Sequence, residues 1–316
     1  MSIFDQKVIK YEMKPLSSLE KVFPDETPVY RMECQMLSGL WGETVSFQVA
    51  YTGDFVMRER LDVRVVSELA EHVHVRTVEM VPVGRATNGI VDDNYLKTTS
   101  GLYPDLLKDL KDGKVIVYSR QWRSLWVDVD ITNEIPAGEY EIELQLIKEG
   151  EVVCSAKQKV TVIGTELPKL DIMHTEWMHA DCLADYYHVE VFSEEHWKLL
   201  ENYFQEYVKR DCNMMLTPLF TSPLDTAIGL ERTTCQLIDV EVKDGEYVFG
   251  FEKLKRWIDL CKKCGIEYFE MSHLFSQWGA KYAPKVVATV NGKKEKIFGW
   301  HTPAVGEYTK FLESFL

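Results

Sequence analysis

The feature that most constrains this chain is a change of rhythm near residue 165. Before it, apolar and polar residues alternate with period two. The runs are Val45–Tyr51, Leu61–Val66, Val115–Tyr118, Leu125–Val129, Tyr140–Leu146 and Lys159–Ile163. Such alternation buries one face of a strand and wets the other, as in a sandwich of antiparallel sheets. Pro136-Ala137-Gly138 turns into one strand, and Glu149-Gly150-Glu151 separates the next two as a hairpin. Residues 1–165 are therefore expected to form an antiparallel β-sandwich accessory domain. His72 and His74 are expected to share one face of a strand, where, with no third ligand in view, they read as exposed residues rather than as a metal pair.

After Thr165-Glu166-Leu167-Pro168, short apolar runs alternate with helical patterns. Leu170–Met173, Met214–Leu216 and Ile266–Phe269 read as strands. Ser193 is an N-cap followed by Glu194 and Glu195, where the helix dipole favours anions. Trp197, Leu200, Phe204 and Tyr207 follow helical spacing, as do Phe251, Leu254, Trp257, Ile258 and Cys261 up to Gly265. Val242 and Tyr247 flank Asp244-Gly245 in a small hairpin, and Glu270–Thr302 reads as a long loop. Residues 166–316 thus predict three βα units with long loops after each strand, the opening part of a (β/α)8 TIM-type barrel. Eight units need about 250 residues, so the barrel is expected to be truncated, with an exposed edge through which the chain would oligomerise.

Composition narrows the function. The 316 residues are 46% hydrophobic with a formal charge of −14, which disfavours nucleic acid and anionic lipid surfaces. The first residues show no charged n-region followed by an apolar h-region and no window is long enough for a membrane span, so no export signal is expected, and seven scattered cysteines suit a reducing, cytoplasmic setting. Cys261-x-x-Cys264 lies at a helix end with no second ligand pair and reads as structural. His174, His179 and Asp181 match no standard metal spacing, and Gly84, Gly89 and Gly101 form no phosphate-binding fingerprint. No cofactor is expected.

The loops carry the chemistry. Asn213–Gln236 joins a buried strand to an irregular stretch with Asp225, Glu231 and Arg232. Three segments together resemble glycoside hydrolase family 123. These are His174–Tyr187; Thr217–Thr221 and Pro223–Thr226 with Gly229, Glu231-Arg232 and Gln236-Leu237; and Phe269–Ala280 with Phe298-Gly299-Trp300. The resemblance implies a retaining hydrolase of N-acetylhexosaminides, chiefly β-N-acetylgalactosaminides. In its substrate-assisted mechanism the 2-acetamido oxygen attacks the anomeric carbon in place of an enzyme nucleophile. It also implies a catalytic Asp-Glu pair at a strand end. The chain's one Asp-Glu dipeptide, Asp25-Glu26, sits between prolines in the N-terminal region. The resemblance therefore places the pair just beyond Leu316.

The candidate sugar-binding residues are Trp177, His179, Asp181, Asp225, Glu231, Arg232, Glu270, His273 and Trp278, with Trp300 a further aromatic. Aromatic faces stack on the C–H side of a pyranose. Each candidate has a structural reading as well. Glu231-Arg232 reads equally as an ion pair, Asp225 as an Asx turn, Glu270 and His273 as a buried pair, and the tryptophans as loop packing. A second functional reading is a non-catalytic carbohydrate-binding or structural chain.

Overall fold

A computed structural model describes residues 10–29, 36–55, 58–87, 89, 91, 94–169, 171–224, 226–227, 229–277 and 279–316. The chain divides into two compact units, Met1–Lys169 and Leu170–Leu316.

The first unit holds β1 (Lys10–Ser17), β2 (Met36–Trp41), β3 (Thr44–Asp54), β4 (Glu59–Val66), β5 (Val73–Val83), β6 (Gly101–Asp109), β7 (Lys114–Val117), β8 (Arg123–Asp130), β9 (Gly138–Lys148) and β10 (Glu151–Glu166). They form two five-stranded sheets, ordered β1-β3-β8-β5-β6 and β2-β10-β9-β4-β7. The described pairings in these two sheets are antiparallel except β2 on β10, which is parallel. The alternating residues supply the core: Phe47, Val49 and Tyr51 from β3, Leu125, Val127 and Val129 from β8, and Ile142, Leu144 and Leu146 from β9. Each such burial contributes about 1.5–3 kcal/mol. The opposite face of β8 is polar yet partly covered. Asp128 there accepts from Ser46 Oγ (2.6 Å) and Trp126 Nε1 (2.7 Å) and pairs with Arg76. His72 and His74 do not share a strand face, because His72 ends a 3-10 turn (Ala70–His72) before β5 begins. His74 instead lies 3.2 Å from Asp130.

The second unit holds α1 (Ala180–Tyr187), α2 (Glu194–Val208), β11 (Met214–Thr217), β12 (Asp239–Lys243), β13 (Glu246–Gly250), α3 (Glu252–Cys264), β14 (Tyr268–Met271), β15 (Val286–Val290), β16 (Lys293–Phe298) and α4 (Glu307–Phe315). It is not the opening of a TIM barrel. β11 and β14 pair as two short parallel strands, while the other four form a separate sheet ordered β13-β12-β15-β16, in which β12 and β13, and β15 and β16, pair antiparallel and β12 lies parallel to β15. The strand expected at 170–173 does not form among its described residues. Ile172 and Met173 are exposed, and the segment is held without a ladder, by the Asn213 side chain and by the Asn213 and Met214 amides, which donate to the His174 carbonyl (3.0 and 3.1 Å). Asn213 Nδ2 donates to the Ile172 carbonyl (2.8 Å), and its Oδ1 accepts from the His174 amide (2.8 Å).

The stretch 270–302, expected to be a loop, contains the β15–β16 hairpin. Its turn residues Asn291 and Gly292 both have positive φ, 50° and 79°, the combination that lets a two-residue turn follow the twist of its strands.

Two apolar clusters organise this unit. In the first, Leu200 and Phe204 of α2 and Trp257 and Cys261 of α3 surround Met215 of β11. Ser193 caps α2 by accepting from the His196 amide, and Gly265 ends α3 at φ 103°. In the second, α4 lays Tyr308, Phe311 and Leu312 on the four-stranded sheet, with Phe220, Val240 and Phe298. The loops after β11 and β14 are thereby tied into one folded layer.

Candidate functional site

The site is built where the loops leave the C-terminal ends of β11 and β14, the usual place for chemistry in α/β structures. The Thr217 and Met271 ends lie side by side in register. The chain before α1 runs beside them because Tyr207 of α2 holds it. The Tyr207 hydroxyl lies within hydrogen-bond distance of the carbonyls of Glu176 (2.9 Å) and Met214 (2.7 Å), which share its one proton, and accepts from the Glu176 amide (2.7 Å).

This anchoring delivers Trp177 to Glu270 and His273. The indole Nε1 donates to Glu270 Oε2 at 2.9 Å, and the ring meets the His273 imidazole edge-on, centroids 5.6 Å apart. Trp177 and His273 are exposed and Glu270 is half-buried. Glu270 and His273 are therefore not a buried pair. They form an open face in which one carboxylate oxygen is oriented by an indole.

A second group lies on α1 and the β11 loop. Asp181, in the first turn of α1, receives a bidentate bond from Arg232: Nε to Oδ2 at 2.8 Å and Nη2 to Oδ1 at 3.1 Å. Their side chains are only 9% and 10% exposed. Arg232 also donates to the Leu224 carbonyl (3.3 Å) and contacts Cys182 Sγ (2.9 Å). Burial works against the charged guanidinium, but the Asp181 carboxylate outweighs it and holds the Arg232 pKa above its ordinary value. One helical turn on, Asp185 accepts from Thr233 Oγ1 (2.9 Å). The i, i+4 spacing of Asp181 and Asp185 puts both on one helix face, so α1 grips consecutive residues of the loop.

Glu231 and Arg232 do not pair with each other. As neighbours they point apart, and Glu231 bonds Lys296 of β16 (2.6 Å) and lies 3.6 Å from Lys285. The Lys296 bond, with Lys285 beside it, holds the Glu231 carboxyl below its usual range. Lys285 also donates to the Arg232 carbonyl (3.0 Å). Sequence reasoning missed Lys285 and Lys296, which lie 53 and 65 positions from their partners; no local spacing could have flagged them. Between Glu231, Arg232, Lys285 and Trp300 is a cavity of about 10 Å3 that Ser222 and Thr226 also line. Ser222 Oγ and Thr226 Oγ1 are buried with no partner among the described residues. The space suits about one water molecule.

His179 occupies the N-cap position of α1, half-buried, and makes no side-chain cap bond there. Asp225 and Trp278 lie outside the described residues. Among the described residues no group of three or more His, Cys, Asp and Glu side chains is arranged to hold a metal. No described helix is long and apolar enough to cross a membrane. Buried His196 accepts from the Phe192 amide at Nδ1 (2.9 Å) and faces the Ala180 carbonyl with Nε2 (3.0 Å). That geometry suits a neutral, structural imidazole.

Residues 177–316 match the profile of the catalytic domain of glycoside hydrolase family 123. The fold of the chain is similar to a family 123 glycoside hydrolase from Clostridium perfringens, described for glycolipid glycan hydrolysis, with TM-score 0.68 and 14% identity. That similarity covers 97% of this chain and 55% of the other, so the chain spans about half the length of that enzyme. Two further structures are far weaker matches and carry no argument. They are a β-glucosidase from Listeria innocua (TM-score 0.24, 10% identity, 51% of this chain, 17% of the other) and the N-terminal domain of PorA (TM-score 0.24, 11% identity, 46% and 99%). No curated protein matches the sequence. Nearly all of the second unit, including every described candidate residue, falls within the matched span, and this part of the chain belongs to glycoside hydrolase family 123.

Proposed function

We propose that the protein is a glycosidase of β-linked N-acetylhexosaminides, with β-N-acetylgalactosaminides as the leading substrate class. The sugar rests on the Trp177–Glu270–His273 face. The observation that supports this reading is the geometry of that face: an exposed indole whose N–H holds a carboxylate at 2.9 Å, with an exposed imidazole beside it. An indole offers a flat apolar surface to the C–H side of a pyranose. Glu270 Oε1 and His273 provide hydrogen bonding to hydroxyls at its edge.

In this reading Asp181, Arg232 and Glu231 are positioning residues. Their ion pairs hold Glu231 and Arg232 in place, with His179, Asp225 and Trp278 as further candidate sugar contacts. The C–O bond breaks as the acetamido oxygen attacks the anomeric carbon to give an oxazoline, and water then opens it with retention. The leaving oxygen takes its proton from a carboxylic acid, as in other glycosidases.

A second reading has a specific observation behind it. The sole Asp-Glu dipeptide, Asp25-Glu26, is in the sandwich, where both carboxylates engage Lys97 at 3.5 and 2.7 Å. Residues 166–316 contain no adjacent Asp-Glu pair, and in this second reading the chain binds carbohydrate without cleaving it. Release of p-nitrophenol from its N-acetyl-β-galactosaminide by the gene product separates the two. Turnover that falls about tenfold in kcat/KM with Trp177→Ala, the worth of one stacking contact, supports the hydrolase. No turnover on any 2-acetamido glycoside would sink it.

A further inference from the structure

The first unit carries its own cavity, about 470 Å3, a volume typical of small-ligand sites. Phe23, 6% exposed, underlies it, and Tyr103 of β6 stands edge-on to that ring at 5.7 Å. The Tyr103 hydroxyl donates to the Thr99 carbonyl, which fixes the phenol ring in place. Val81 and Val83 of β5 and Leu96 add apolar walls. Tyr95 and Leu96 at its rim are 44% and 70% exposed.

The charges around this cavity are already matched. The Lys97 ammonium sits 3.8 Å from the centre of the Phe23 ring and is held by Glu26 at 2.7 Å and Asp25 at 3.5 Å. Lys21 donates to the Pro104 carbonyl at 3.2 Å and lies 3.8 Å from Asp105. Each cation has a carboxylate, so nothing in the site demands an anion, and a phosphate or carboxylate ligand would meet Asp25, Glu26 and Asp105 as like charge. A bare alkyl chain would cover the apolar walls but would desolvate the lysine and carboxylate heads without giving them partners. A neutral ligand with one C–H-rich face and a rim of donors and acceptors answers both halves of the lining: the Tyr95 ring exposed at the rim and the valine and leucine walls for the face, ammonium and carboxylate groups for the hydroxyls.

We infer that this cavity is a second glycan-binding site, taking one or two neutral pyranose units independently of the loops in the C-terminal unit. The site would hold a glycan chain on the sandwich whether or not the second unit cleaves it.

The test is methyl NMR on the whole chain with labelled Leu and Val. It is titrated separately with methyl N-acetyl-β-galactosaminide, lactose and diacetylchitobiose, with octanoate as the apolar and anionic control. At least one sugar should shift the Val81, Val83 and Leu96 methyls saturably, while octanoate leaves them unmoved. Tyr95→Ala, a rim variant with an unchanged methyl spectrum elsewhere, should weaken that binding about tenfold, as loss of one aromatic stacking contact does. Trp177→Ala should leave it unchanged. Absence of saturable shifts with all three sugars, shifts with octanoate instead, or equal affinity in Tyr95→Ala would overturn the inference. The readout is binding at first-unit methyls, so failure here leaves the proposed hydrolase untouched, and failure of catalysis leaves this site untouched.

Discussion

Removing the Asp181 carboxylate should destabilise the second unit more than any other surface-reachable change near its loops. In Asp181→Ala the Arg232 guanidinium stays where it is, 10% exposed, having lost two of its four contacts. Breaking one side of a buried ion pair costs about 3–5 kcal/mol. The surviving contacts to the Leu224 carbonyl and Cys182 sulfur place this case near the low end, about 3 kcal/mol. For a unit of this size each kcal/mol moves the midpoint about 2–4 °C, so the second unit should melt about 6–12 °C lower. The double change Asp181→Leu with Arg232→Met removes both charges and should recover most of that loss. Calorimetry resolves the transition of this unit, and hydrogen exchange over 222–236 locates the damage. A shift within about 1 °C for Asp181→Ala would refute the reasoning, since it would mean that water screens the pair. A double variant as unstable as the single one would refute it too.

Three further outcomes follow from the same geometry. The depressed Glu231 pKa, caused first by its bond from Lys296, means that its stabilisation is full above the unfolded value of about 4.3 and is lost as pH falls through the folded value. Glu231→Gln should therefore flatten the acid limb of a melting-temperature profile below about pH 4.3. Burial pushes His196 below its ordinary pKa. The stability it contributes is present above about pH 6.5 and declines as pH falls, a decline that His196→Gln should remove from stability measured between about pH 7 and 5. In the sandwich, a Cβ on Gly39 would lie 2.5 Å from Val45 Cγ2 and 2.6 Å from Ile131 Cδ1. Gly39→Ala should cost about 1–3 kcal/mol by urea unfolding, with no effect on the second unit's transition.

Where local pattern and tertiary packing agree, the fold was readable in advance. The alternation in Val45–Tyr51 and Tyr140–Leu146 does put Phe47, Val49, Ile142 and Leu144 into one core, because period two leaves a strand only one way to face. Ser193 and Gly265 mark helix ends because each satisfies orphan backbone groups on the spot. The second unit misled for the opposite reason. Leu170–Met173 has the composition of a strand, yet a strand needs a neighbour to pair with, and Asn213 supplies side-chain bonds in its place. The β15–β16 hairpin had a legible signal in Asn291-Gly292, overlooked beneath the polar and aromatic residues around it.

The sequence alone determined the residue types of the site and the family that owns them, because long motifs such as His174–Tyr187 and Phe269–Ala280 are specific without any structure. It also determined which strands and helices could bury a face. Tertiary structure alone decided partnership. Asp181 meets Arg232 across 51 positions, Trp177 meets Glu270 across 93, and Glu231 turns away from its neighbour to Lys296. Charge–charge and hydrogen-bond energies depend on separations of a few ångströms. Those separations are set by how α1, the two short parallel strands and the four-stranded sheet pack, which no spacing along the chain encodes.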